Sequence, residues 1–245
     1  MPQTLPGLGD LHDIWVYLAA SPLLHLTLTL VAYQAGTWVY RRTGNNPLAN
    51  PVLIAVVALV GLLLATGTDY ATYFAGAQFV HFLLGPATVA LAIPLYRQFA
   101  HVRRSGVAIL ASIVAGSITA ALSAAGIAWA LGASASSVIS IAPKSVTAPV
   151  AMGISQRLGG LPSLTAALVI LTGITGAMLG PLVLNLIRVR DWRARGLAMG
   201  TAAHGIGTAR ALQVNEVAGA FAGLAMGLNA LATAILLPIV WRLFF

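Results

Sequence analysis

The stretch Leu161-Pro-Ser-Leu-Thr-Ala-Ala-Leu-Val-Ile-Leu-Thr-Gly-Ile-Thr-Gly-Ala-Met-Leu-Gly-Pro-Leu-Val-Leu-Asn-Leu-Ile187 contains no Asp, Glu, Lys or Arg, and it stops at the charged run Arg188-Val-Arg-Asp-Trp-Arg193. A bilayer core about 30 Å thick is crossed by about 20 apolar residues in a helix, so this stretch is long enough to span. Outward from it, the same criterion marks Ile14 to Tyr40, Pro51 to Thr68, Ala71 to Tyr96, Ser105 to Leu131 and Val217 to Trp241. Two further apolar stretches are interrupted by charge: Ala133 to Leu158 by Lys144 and Arg157, and Ala194 to Gln213 by Arg195 and Arg210. Across all 245 residues 59% are hydrophobic and 7% charged, against about a quarter charged in soluble domains. Ten-residue blocks of alternating polarity, the mark of a membrane barrel, are absent. The expected fold is an all-α polytopic membrane protein with about six to eight membrane segments, two of them broken or re-entrant. Residues 1–13, with Asp10 and Asp13 and no basic n-region, read as an extramembrane segment without a cleavable signal. Residues 14–245 read as one integral membrane transport domain.

Short cytoplasmic loops collect Lys and Arg. Arg41 and Arg42, then Arg97, Arg103 and Arg104, then Arg188, Arg190, Arg193 and Arg195 each follow an apolar stretch, which places these loops in the cytoplasm and the N-terminus outside. If residues 133–158 crossed fully, the last four arginines would lie on the far side. Charge therefore favours an element that enters and leaves on the outside, with a broken spanning helix as the competing reading. A shift of 57 residues superposes Gly85-Pro-Ala-Thr-Val89 on Ala142-Pro-Lys-Ser-Val146, and Gly116, Ala120 and Leu122 on Gly173, Ala177 and Leu179. Chance matching competes in so Ala/Gly-rich a chain, but repeated units with broken helices are what secondary transporters are built from.

Ile141-Ala-Pro-Lys-Ser-Val-Thr-Ala-Pro149 carries two prolines, each removing a backbone donor and clashing with the preceding turn. A helix breaks there. Within a membrane, freed backbone groups persist only where protein or a water-lined cavity satisfies them, so the break predicts a cavity holding Lys144, Ser145 and Thr147. An intramembrane lysine marks a functional site by default; the plainer reading has Lys144 snorkelling to the headgroups. In Gly200-Thr-Ala-Ala-His-Gly-Ile-Gly-Thr-Ala-Arg210, Gly205 and Gly207 weaken the helix, and Thr201, His204, Thr208 and Arg210 supply polar groups. A helix restarting near Gly207 would aim N–H groups at an anion. The plainer readings are a hydrogen-bonded core histidine and an interfacial arginine. Gly219, Gly223 and Gly227 share one helical face, and Gly176 and Gly180 repeat the device; both read as helix packing. Asn229 reaches either a cavity or a backbone group.

The absence of cysteine excludes disulfides and thiolate metal sites, and no nucleotide-binding GxxxxGK[ST] pattern exists. No histidines or carboxylates have metal-ligand spacing; no cofactor is expected. The +8 net charge sits between apolar runs, as membrane topology requires, which argues against nucleic acid. Catalysis is not expected either, because Lys144 and Ser145 as neighbours on a helix would diverge by about 100°. Lys144 and Arg210 with hydroxyls and helix ends fit a small anion.

Three motifs, Pro143-Lys-Ser-Val-Thr147, Gly159-Gly-Leu-Pro-Ser-Leu-Thr165 and Ala194-Arg-Gly-Leu-Ala-Met-Gly-Thr-Ala-Ala-His-Gly-Ile-Gly-Thr-Ala-Arg-Ala-Leu212, followed by Glu216 to Gly223, resemble the LrgB/CidB family. The resemblance runs from about Leu23 and leaves an N-terminal extension to about Ser21. It implies an integral protein of the bacterial cytoplasmic membrane that carries small monocarboxylates such as glycolate, glycerate or pyruvate. In that reading Lys144 and Arg210 are counter-charges, Ser145, Thr147, Thr201, Thr208 and Asn229 bind substrate, and His204 couples protons. The family implies, as the alternative, an antiholin-like regulator of murein hydrolase export and cell lysis, acting with a holin-like LrgA/CidA-type partner. A homo-oligomer is compatible with the glycine faces.

Overall fold

A computed structural model of the chain describes residues 22–83, 86, 89–90, 92–97 and 99–244. Among them every regular element is a helix. The segment 1–13, the start of the first expected span at 14–21 and most of the first repeat's turn at 84–88 lie outside the described residues. Contacts divide the chain into a unit of residues 1–88 and a unit of residues 89–245.

In the first unit, α1 (Pro22–Arg42) packs on α2 (Pro51–Thr66) and α3 (Tyr70–Phe82). Asn50 caps α2 by accepting from the amides of Val52 and Leu53 at 2.8 and 3.2 Å. A Cβ on Gly76 would collide with the Pro22 carbonyl, and one on Gly36 with that of Pro51, so glycine sets both approaches. His25 is buried, its ring edge-on to Tyr73 at 5.8 Å; Tyr73 is thus a packing residue, whereas Tyr70 is exposed.

The second unit runs α4 (Ala92–Arg97), α5 (Phe99–Arg104), α6 (Gly106–Ala130), α7 (Ala135–Ile141), α8 (Ala148–Leu158), α9 (Pro162–Leu186), α10 (Trp192–Val214) and α11 (Glu216–Phe244). By length and composition α6, α9 and α11, the last over Glu216–Arg242, can cross a membrane. These three are the clear spans among the described residues; α2, of 16 residues, is apolar but short.

Both interrupted stretches reverse direction. The first breaks where the prolines demand: α7 ends at Ile141, and α8 starts after Thr147 with Pro149 in its first turn, where a missing N–H costs nothing. Its arms return to one place, because Ser140 on α7 and Ser155 on α8 both meet Thr165 at the start of α9. In α10 the break falls at Ala203 (φ −126°, ψ 17°) and His204 (φ 40°, ψ −130°), not near Gly207. Along a straight helix residues 199 and 207 lie about 12 Å apart, yet a Cβ on Gly207 would stand 2.5 Å from the Met199 carbonyl. The arm 205–214 therefore folds back beside the arm 192–202, and Gly207 makes the close return possible.

The return explains the glycines. On α10, Gly196 and Gly200 face the carbonyls of Ala218 and Ala222, so the arm 192–202 lies parallel to α11 with no room for a Cβ. On α9, Gly173, Gly176 and Gly180 receive His204, Ala203 and Met199. Of the expected glycine face of α11, Gly219 allows the Leu212 backbone a close approach, whereas Gly227 meets nothing within 4 Å.

Two predictions follow from this packing. Gly200→Ala should cost about 1–3 kcal/mol by overpacking, whereas Gly227→Ala should be neutral or gain up to about 1 kcal/mol from helix propensity; thermal midpoints in detergent compare the two. Asp191 caps α10 by accepting from the Arg193 amide at 2.8 Å, and the Arg193 guanidinium beside it holds its carboxyl down to about 2. A carboxyl depressed on folding stabilises above its ordinary value of 3.8 and ceases to as pH falls towards 2. The exposed pair is screened, so Asp191→Ala should lower stability by about 1 kcal/mol or less at pH 7, and the difference should shrink as melts are taken below pH 4.

Candidate functional site

Lys144, the only lysine in the sequence, stands at the tip of the α7–α8 hairpin. The tip closes through short backbone bonds, Lys144 N to the Ile141 carbonyl at 3.1 Å and Val146 N to the Pro143 carbonyl at 3.2 Å. These leave the Ser145 carbonyl to find another donor. It accepts from Asn229 Nδ2 at 3.2 Å, and the same amide donates to the Thr201 carbonyl at 3.1 Å, just before the reversal of α10. One buried side chain from the middle of α11 thus joins the two hairpin tips.

In front of this junction lies a cavity of about 450 Å³ between α6 and α10. Its walls are Ser112, Gly116 and Ala120 at four-residue spacing on α6, and Ala194, Leu197, Ala198, Thr201 and Ala202 on α10, with Lys144 and Ser145 completing it. Lys144 Nζ donates to Ser145 Oγ at 3.2 Å. The 100° divergence expected of helical neighbours does not apply, since the tip is a turn and not a helix. Among the described residues no carboxylate lies within ion-pair distance of Lys144, and no three His, Asp or Glu side chains gather to hold a metal. A lone cation among hydroxyls and small apolar walls can hold a small anion.

The sequence-based candidates divide accordingly. Lys144, Ser145 and Thr201 share the cavity, while Asn229 is buried behind it, binding backbone. His204 is buried with Nε2 3.0 Å from the Val169 carbonyl; a carbonyl only accepts, so Nε2 carries the proton. That bond and the seat at Gly173 fix the ring of a residue whose positive φ is strained for a side chain. Thr208 is buried and donates to the His204 carbonyl at 2.8 Å. Thr147 serves as the N-cap position of α8, and Arg210 lies on the returning arm of α10; neither lines the cavity.

A second cluster was not anticipated. Thr165 Oγ1 lies 3.0 Å from the Ser140 carbonyl and 2.7 Å from Ser155 Oγ, and Ser140 Oγ accepts from the Leu161 amide at 2.8 Å. All three hydroxyl residues are fully buried, and a Cβ on Gly160 would collide with Ser155 Oγ. This cluster ties the tip end of α7 and the second half of α8 to the start of α9, fixing the depth of Lys144. Its sequence signal was Thr165 at the end of the Gly159-to-Thr165 motif.

The LrgB-like family pattern matches residues 29–243. The chain is 38% identical to the Bacillus subtilis protein YwbG over 216 residues, 88% of this chain and 96% of that one. It is 33% identical to the holin-like protein CidB of Staphylococcus epidermidis, over 94% of this chain and 99% of the relative. With the antiholin-like protein LrgB of Bacillus cereus it shares 32% identity, over 89% and 95% of the two chains. No solved structure matches. Match and apolar spans together make the chain an integral bacterial membrane protein, and it belongs to the LrgB-like family.

Proposed function

We propose that the chain binds small monocarboxylates, such as glycolate, glycerate or pyruvate, at Lys144 and carries them across the bacterial cytoplasmic membrane without chemical change. The observation that carries this reading is a half-buried lysine with no carboxylate partner at the end of a cavity walled by small residues. Such a charge is costly within a membrane unless a ligand answers it, and Ser145 and Thr201 supply hydroxyls beside it. In this reading both hairpins are re-entrant: the α7–α8 hairpin enters and leaves on the outside, the α10 hairpin on the cytoplasmic side. Support comes from the convergence of Ser140 and Ser155 on Thr165 and from the return of Gly207 to Met199. It also keeps Arg188, Arg190, Arg193 and Arg195 cytoplasmic.

The names of the relatives favour a second reading more directly: an antiholin-like regulator working with a holin-like LrgA/CidA-type membrane partner. Its buried polar groups would then serve packing alone. Binding separates the two, because a ligand of the folded state stabilises by RT ln(1 + [L]/Kd), about 2.7 kcal/mol at a hundred times Kd. Glycolate or pyruvate should raise the thermal midpoint of the native protein and leave that of Lys144→Met unmoved. Liposomes holding the protein alone should take up labelled glycolate saturably, with Lys144→Met at least about tenfold slower. Correctly inserted protein that neither responds to these acids nor transports them would leave the regulator, to be tested with its partner present.

A further inference from the structure

We infer that in this conformation small anions reach Lys144 along the α6–α10 groove from the membrane face bearing the arginine loops, while an apolar plug closes the opposite face. This rests on the reading of Lys144 as an anion site and adds to it the route and its direction.

The direction follows from helix register. Leu197 on α10 packs against the cluster that joins Ile109 and Ile113 of α6 to Phe221 and Ala225 of α11, and one turn on, Thr201 stands against Gly116. The two helices therefore run the same way, with their starts side by side. Arg103 and Arg104 immediately precede α6, and Arg188, Arg190 and Arg193 flank the start of α10. Gly116 and Thr201 each lie about 15 Å along their helices, and Asn229 sets the Lys144 tip at the level of Thr201. From that level towards the arginine end, the groove passes Ala198, Ser112 and Ala194, all exposed. Its walls carry no acid to repel an anion, and Lys144 is the only charge among them.

Beyond Lys144 the packing tightens, and the space lined by Ser117, Ala121, Thr233 and Leu237 is only about 10 Å³. Ala121 and Ala125 continue α6 past Gly116, and they pack with Val138, Ala142, Ile154 and Leu237 into a buried apolar cluster. The α7–α8 hairpin supplies three of these residues, so the element that presents Lys144 to the groove also blocks the way behind it. A dry cluster of this kind offers an anion no partner to replace its water.

The chain has no cysteine, so single cysteines report access cleanly. Ala198→Cys, with Ala194→Cys and Ser112→Cys as further positions should one misfold, would be treated in sealed vesicles of either orientation with membrane-impermeant anionic and cationic methanethiosulfonates. Arg190→Cys marks the arginine side and Ala135→Cys the other; both positions are exposed. The groove cysteines should react faster from the side that labels Arg190→Cys. Adding Lys144→Met should lower the ratio of anionic to cationic rate at Ala198→Cys by at least about fivefold, the effect of one charge across roughly 8 Å in a medium of intermediate polarity. Labelling faster from the Ala135→Cys side, equally fast from both or from neither overturns the proposal, as does a rate ratio indifferent to Lys144. The labelling needs no transported substrate. Labelling faster from the arginine side without uptake therefore fails the carrier alone, and uptake with labelling faster from the plugged side fails the route alone.

Discussion

Everything around the cavity depends on Asn229 Nδ2, which donates to the carbonyls of Ser145 and Thr201. Two chain reversals inside an apolar protein free backbone groups that have no water to turn to. Each hairpin satisfies part of this need itself, and one carbonyl from each is left for a donor on a third element. An amide is the side chain that can serve both, since it has two N–H donors on one nitrogen. Separating the tips would strand both carbonyls, at about 1–3 kcal/mol each when buried. The two tips and the middle of α11 are thus bound to move together.

That constraint propagates through glycine. To bring the Thr201 carbonyl to Asn229, the arm 192–202 must lie against α11 closely enough for Gly196 and Gly200 to meet backbone carbonyls. The same arm presses Met199 on Gly180 of α9, and the break beyond it seats Ala203 and His204 on Gly176 and Gly173. Small residues on three helices are therefore the condition for a polar junction between two hairpins, which goes beyond the generic helix packing that their spacing implies.

The proline break was legible in the sequence because proline changes the covalent chain: Pro143 and Pro149 cannot continue a helix, and α7 and α8 stop and start around them. The break in α10 was legible only in its neighbourhood. Gly205 and Gly207 marked it, but the turn sits on His204, a residue whose positive φ no composition foretells and whose ring is fixed by Val169, thirty-five positions away. For the same reason Thr208 read as a ligand donor and Asn229 as reaching a cavity or a backbone group, and both donate to backbone carbonyls in the structure: a polar side chain in an apolar segment announces a need for a partner without naming it. The Ser140, Ser155 and Thr165 cluster stayed hidden because its members are ordinary hydroxyls until the hairpin closes.

Alanine lines both the open groove and the closed plug, so composition alone cannot distinguish them. The difference lies in what faces the small residues. Along the groove, Ala194, Ala198 and Ala202 look across to Ser112, Gly116 and Ala120, small against small, and space remains. In the plug, Ala121, Ala125 and Ala142 meet Val138, Ile154 and Leu237, small against large, and the gap is filled. Lys144 stands at the boundary between these two regimes. A lysine suits that position better than an arginine, because its compact ammonium on a flexible stem turns its three donors to whatever acceptor is present and needs little width, whereas a planar guanidinium would need several acceptors in fixed directions that the small walls do not provide.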